Sequence, residues 1–171
     1  MFRNYMERLG LAPDPIVPLD PAWPKMSLEQ TKALLTAPGA KFEMEAVEIR
    51  GVPTRVWKNA PPSLRVLAQM VRAYGAREFT IYEKERVTFE ANYRATAQIA
   101  HQLAVMGVTK GDRVALAMRN LPEWPAIFFA AVSIGAIMVP LNAWWTGGEL
   151  EYAMKDSGAK VLFVDGERHD D

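Results

Sequence analysis

Three short runs made almost wholly of apolar residues recur between helix-patterned segments in the second half of the chain, and this rhythm allows few folds. The runs are residues 113–118, with Val114, Ala115 and Leu116, then residues 136–139 and 161–164. Strands without polar alternation are buried on both faces, as in parallel sheets covered by helices. The segments between them, 123–134 and 148–156, are helical in pattern and stop at Gly135 and Gly158. Glycine takes a left-handed helix end at low cost. Strands alternating with helices predict a β-α-β-α-β unit from about residue 113, part of a doubly wound α/β layer with right-handed crossovers.

The same passage holds a stretch, 124–141, without a charged residue. Its length reaches the roughly 18 apolar residues of a membrane span. Pro125, Ser133, Gly135 and Pro140 punctuate it. A buried helix followed by a buried strand is therefore the better reading, and no transmembrane segment is expected.

Upstream the rhythm differs. Residues 1–26 carry Pro13, Pro15, Pro18, Pro21 and Pro24, which rules out a regular helix or central strand and predicts an extended arm. Ser27 with Gln30 three positions on is a capping-box pattern. It opens a short helix with Leu28, Leu34 and Leu35 that stops near Pro38 and Gly39. Alternation over 42–49, a turn at Gly51 and a second run over 52–57 predict a β-hairpin. Residues 59–62 read as a linker. Ser63 caps a helix whose Leu64, Leu67, Ala68 and Val71 share one face, and Gly75 is expected to end it in left-handed geometry. Residues 79–82 and 86–89 predict a second hairpin, with a solvated turn at Glu83, Lys84 and Glu85. Thr88 then caps a longer helix with Phe89, Tyr93, Ala97, Ala100, Leu103 and Ala104 along its inner stripe, closed by Gly107. Two regions follow: residues 1–62 as arm, short helix and hairpin, and residues 63–171 as the start of an α/β domain.

Composition narrows the function. The 171 residues hold 20 Lys plus Arg and 20 Asp plus Glu, a net charge of zero. A nucleic-acid binder usually shows a basic stripe, so none is expected as partner. There is no cysteine, which excludes disulfides, thiolate zinc sites and cysteine nucleophiles and fits a cytoplasmic setting. The first ten residues are charged throughout, without the apolar core of a secretory signal.

The ordered motifs resemble a family. Val87-Thr88-Phe89-Glu90 leads into a helix, followed by Met106-Gly107-Val108 and Gly111-Asp112-Arg113-Val114-Ala115. Asn120-Leu121-Pro122-Glu123, Gly135-Ala136, Val139-Pro140-Leu141-Asn142 and Asp156-Ser157-Gly158-Ala159-Lys160-Val161 come next. In this order and spacing they resemble the front of the adenylate-forming (AMP-dependent synthetase and ligase) superfamily. Its members include acyl-CoA synthetases, aryl-CoA ligases, peptide-synthetase adenylation domains and firefly-type luciferases. The resemblance is strongest over 79–168. Residues 139–165 look like the fatty-acid and aryl-acid CoA ligase branch, and residues 36–65 are similar to leaders found there. Most of these positions shape turns and helix ends, so they mark a scaffold.

The resemblance implies a two-step reaction. The carboxylate of an acid attacks the α-phosphate of ATP, releasing pyrophosphate and leaving an acyl-adenylate. The CoA thiol then displaces AMP. ATP, Mg2+, CoA and a carboxylic acid are thus the implied cofactors and substrates of the parent enzyme. Such an enzyme needs a Ser/Thr/Gly-rich loop with a lysine, a later acidic residue and a catalytic lysine on a C-terminal domain. None stands in this sequence. Thr146-Gly147-Gly148 continues into Glu149 and Leu150 and reads as a helix start. Gly107 to Gly111 fits neither a Walker loop nor a dinucleotide fingerprint. No catalytic, cofactor-binding or metal residue is therefore assigned, and the fragment alone is expected to be inactive.

Other residues have plainer readings. His101 reads as a partly exposed helical histidine without a second ligand one turn away. Asp165, Glu167, His169, Asp170 and Asp171 could hold a cation, but read rather as the start of a further helix. Of Trp144 and Trp145, one is expected to pack and the other to face outward. An uncovered apolar sheet edge near residues 161–164 predicts self-association. The alternative function is a stand-alone interaction module on the same α/β scaffold, docking through that edge and the tryptophan pair.

Overall fold

The computed structural model describes residues 26–166. Most of the proline-rich arm, and the carboxylates and histidine beyond Gly166, lie outside the described residues. The chain forms two compact units, one up to Ala60 and one from Pro61 onward.

The first unit opens with helix α1, Leu28–Thr36. Its capping box is complete: Ser27 Oγ accepts from the Gln30 N–H at 3.2 Å, and Gln30 Oε1 accepts from the Ser27 N–H at 2.9 Å. Strands β1, Met44–Ile49, and β2, Val52–Trp57, pair antiparallel. Their two-residue turn puts both Arg50 (φ 52°) and Gly51 (φ 79°) in left-handed space, the geometry that matches strand twist in hairpins. Gly51 was the expected turn residue. Arg50 shares the burden without a glycine's freedom. At the open end Lys58 Nζ and Glu43 Oε1 pair at 2.8 Å.

The second unit begins with α2, Leu64–Met70, capped by Ser63 Oγ accepting from the Val66 N–H at 3.2 Å. The helix then tightens into a 3₁₀ turn, Val71–Tyr74. Gly75 has φ 54° but ψ −116°, so it reverses the chain toward the next strand instead of adopting the expected left-handed helix end. Strands β3, Glu78–Tyr82, and β4, Glu85–Thr88, form the second hairpin. Glu85 belongs to a strand, leaving a turn of Glu83 and Lys84. The register shifts between Glu78 and Thr80. Next to that shift the Phe79 ring packs 4.8 Å from Phe89, whose other neighbour is Tyr74 at 4.9 Å.

Helix α3, Phe89–Val105, starts as expected, with Thr88 Oγ1 accepting from the Ala91 N–H at 3.1 Å. Its buried face differs from the expected stripe. Asn92, Thr96 and Leu103 are buried, while Ala97 and Ala104 are exposed. The apolar stripe predicts a face by hydrophobicity alone, whereas two polar residues turn inward here.

The sheet follows: β5, Arg113–Ala117, helix α4, Glu123–Ser133, β6, Ile137–Pro140, helix α5, Gly147–Ser157, and β7, Val161–Val164. All pairings are parallel and the order is β6-β5-β7. This is the expected β-α-β-α-β layer. Strand β5 is central, and Val114, Ala115, Leu116 and Ala117 are wholly buried. Val114 packs with Leu103 and Val108 and with Ala130, Ala131 and Ala136. The small alanines let α4 approach closely. The chain steps from β5 to β6, then crosses back over β5 to reach β7. Right-handed crossovers in opposite directions place α4 and α5 on opposite faces. The uncharged stretch 124–141 is therefore a helix and a strand. Among the described residues no helix is long and apolar enough to cross a membrane.

Candidate functional site

Open parallel sheets bind ligands beyond the carboxyl ends of their strands, where the direction of winding reverses. Here that reversal lies between β5 and β7. The residues that leave these two strands meet across it. Arg119 follows β5, and Asp165 follows β7. Asp165 Oδ2 accepts from the Arg119 N–H at 3.1 Å and from its Nε–H at 3.0 Å. The Asp165 side chain is 2% exposed and that of Arg119 31%. A buried carboxylate needs such a partner, since desolvation otherwise forbids its charge. The pair pins together the two chain segments that border the crevice.

The rest of the rim comes from the segment after β6. Asn142 Oδ1 accepts from the Trp144 N–H at 2.9 Å and shapes the turn. Trp144 is 72% exposed, whereas Trp145 is half-buried. One ring packs and the other faces outward, as expected. Trp145 and Tyr152 flank a shallow depression at the start of α5.

One segment of the sequence invites comparison with a phosphate-binding loop. The only candidate loop, Thr146-Gly147-Gly148, is a helix start. The Glu149 carboxylate reaches back to it, accepting from the Thr146 N–H at 2.8 Å and from its Oγ1–H at 2.9 Å. These bonds hold the Glu149 pKa below its ordinary value. A negative charge already occupies the helix N-terminus, where an anion would have to bind. Among the described residues no group of three His, Cys, Asp or Glu is placed to hold a metal ion.

The acids with the most perturbed pKa values lie away from this rim. Asp112 precedes β5, at the opposite end of the sheet. Lys160 Nζ pairs with its Oδ1 at 2.8 Å, and the N–H and Oγ1–H of Thr109 donate to its Oδ2 at 2.7 and 2.9 Å. Lys160 first, and then Thr109, lower its pKa to about 2. Glu90, in the first turn of α3, lies between Arg72 at 2.8 Å and Arg94 at 2.9 Å. Arg72 is the larger cause of a pKa lowered to about 2. Both carboxylates are engaged on all sides and serve as struts. His101 is exposed on α3. Gly107 (φ 80°) and Gly111 (φ 90°) form the expected helix-to-strand turn. Of the residues grouped near the C-terminus, Asp165 alone is described, and it serves Arg119. Their pairing spans 46 positions and leaves no local mark in the sequence.

A parallel layer with helices on its faces defines an α/β protein whose crevice lies on the carboxyl side of β5. Residues 67–171 match the family described as AMP-binding enzyme, and the chain belongs to that adenylate-forming family. A long-chain-fatty-acid–CoA ligase of Escherichia coli (strain CFT073) is 34% identical over 115 residues, 66% of this chain and 20% of that protein. FadD13, a long-chain-fatty-acid–CoA ligase of Mycobacterium tuberculosis (strain H37Rv), is 36% identical over 77 residues, 45% of this chain and 15% of that protein. An inhibitor-bound crystal structure of the N-terminal domain of FACL13 from Mycobacterium tuberculosis superimposes with a TM-score of 0.58 at 26% identity. It covers 63% of this chain and 28% of that one. The chain thus spans about a fifth of the length of the E. coli relative.

Proposed function

We propose that this chain is the N-terminal scaffold part of an ATP-dependent acid–CoA ligase. On this reading residues 63–171 are the first α/β part of a larger N-terminal domain, and residues 1–62 are its leader. ATP, Mg2+, CoA and a fatty or aryl acid are substrates and cofactors of the whole enzyme, which works in the cytoplasm. The family match over residues 67–171 carries the reading, supported by relatives named as fatty-acid ligases. On this reading the 171-residue chain by itself is inactive. Acyl-adenylate formation needs donors that offset phosphate charge, and the one loop of suitable composition is closed by Glu149.

ATP–pyrophosphate exchange with a panel of carboxylic acids tests both parts. The full ligase is expected to exchange label with at least one fatty or aryl acid. The 171-residue chain is expected to stay at background. Exchange catalysed by the short chain would sink the scaffold reading, and a full-length product inert with every acid would sink the ligase reading. The exposed Trp144 and the half-exposed Ile137 favour a second reading, an interaction module docking through apolar surface. A reading frame that stops after Asp171 would support it. A Ser/Thr/Gly-rich loop with lysine encoded shortly downstream would exclude it.

A further inference from the structure

A cleft of about 300 Å³ opens where α2, α3 and the end of α4 converge. It lies away from the crevice at the carboxyl ends of the strands. Its volume is at the lower end of the roughly 300–1,000 Å³ common for small-molecule sites. Ala68, Ala97, Ala100 and Ile134 form the apolar part of its walls, Gln69, Tyr93, Thr96 and Ser133 contribute polar atoms, and Arg65 stands at the mouth. Among the described residues Arg65 has no ion-pair or hydrogen-bond partner. The neighbouring cation, Arg72, is by contrast fully engaged. It binds Glu90 and lies 4.7 Å over the Tyr93 ring, which also lines the cleft. Thr96, on the cleft wall, is 5% exposed, and its Oγ1 has no hydrogen-bond partner. Asn92, one turn earlier, keeps an unpaired Oδ1.

We propose that this cleft binds a small amphipathic carboxylate, with its apolar end between α2 and α3 and its carboxylate on Arg65. A guanidinium without a partner is suited to a carboxylate, which it can bind through two parallel hydrogen bonds. The apolar part of the wall suits an alkyl or aryl tail. The inference does not depend on the ligase reading, because a chain that activates no acid can still hold one here.

The test is calorimetric titration of the 171-residue protein with sodium hexanoate, with hexan-1-ol and hexylamine as controls. Saturable one-site binding of hexanoate is expected. Hexanol should bind about tenfold more weakly and hexylamine more weakly still, as loss of one charge-assisted hydrogen bond implies. Arg65→Gln should bring hexanoate down to the affinity of hexanol. Ala97→Trp, which fills the cleft from an exposed position, should abolish both. Arg65 is exposed, so its variant is expected to keep the fold, checked by circular dichroism. Absence of saturable hexanoate binding, equal affinity for hexanoate and hexanol, or hexanoate binding indifferent to either substitution would each overturn the proposal.

Discussion

Asp165 turns its carboxylate onto Arg119 as the chain leaves β7, and so joins two strand ends that nothing local in the sequence brings together. Removing one partner of a buried pair costs about 3–5 kcal/mol. Arg119 keeps some solvent, so Asp165→Ala is expected near the lower end, about 3 kcal/mol. A lower urea midpoint with an unchanged slope would report it. The two half-buried struts act through pH. Asp112 is shifted down from 3.8 to about 2, and Glu90 from 4.5 to about 2. A folded-state pKa below the unfolded one adds stability that is complete above the unfolded value and lost as pH falls through the folded one. Urea midpoints should therefore hold from neutral pH to about 5, then decline toward pH 2. Asp112→Asn with Glu90→Gln is expected to flatten that acid limb, and an unchanged slope would refute the assignment.

Elements were legible where their ends carry their own chemistry. Ser27, Ser63 and Thr88 each mark a helix start, because a capping side chain needs only a backbone group two or three residues away. Three glycines mark the helix ends that α3, α4 and α5 reach. Gly158 shows why: it sits at φ 60° and ψ 35°, and an added Cβ would meet Arg113 Nη2 at 2.9 Å. Arg113 donates there to the carbonyls of Ser157 and Gly158 at 2.9 and 3.0 Å. Gly158→Ala is expected to destabilise by roughly 1–2 kcal/mol from left-handed backbone alone, more if Arg113 is displaced. Thermal unfolding would show it as a lower Tm. The inner face of α3 was not legible. Asn92 and Thr96 are buried although polar, and a hydrophobic stripe cannot announce that. The candidate cleft was equally silent, since its walls combine residues of three helices that are distant in sequence.

At the scale of the molecule, the apolar rhythm after residue 113 conveyed the parallel layer, while the order β6-β5-β7 required the direction of each crossover. The described sheet has three strands, and its outer strands keep Ile137 52% and Leu162 37% exposed. Apolar edges of this kind promote association. Sedimentation velocity of the 171-residue chain is expected to show mass rising with concentration, and a single monomer boundary at high concentration would count against it. The two outer strands differ, however. Along β6 the N–H groups of Ile137 and Leu141 turn toward β5, bonding Asp112 O and Leu116 O, so alternate positions face away. One of these is Pro140, which has no N–H to offer. An incoming ribbon of backbone would find a missing rung there and a full ladder along β7. Lateral growth is thereby given a direction, and Pro140→Val should remove that bias and raise the associated fraction.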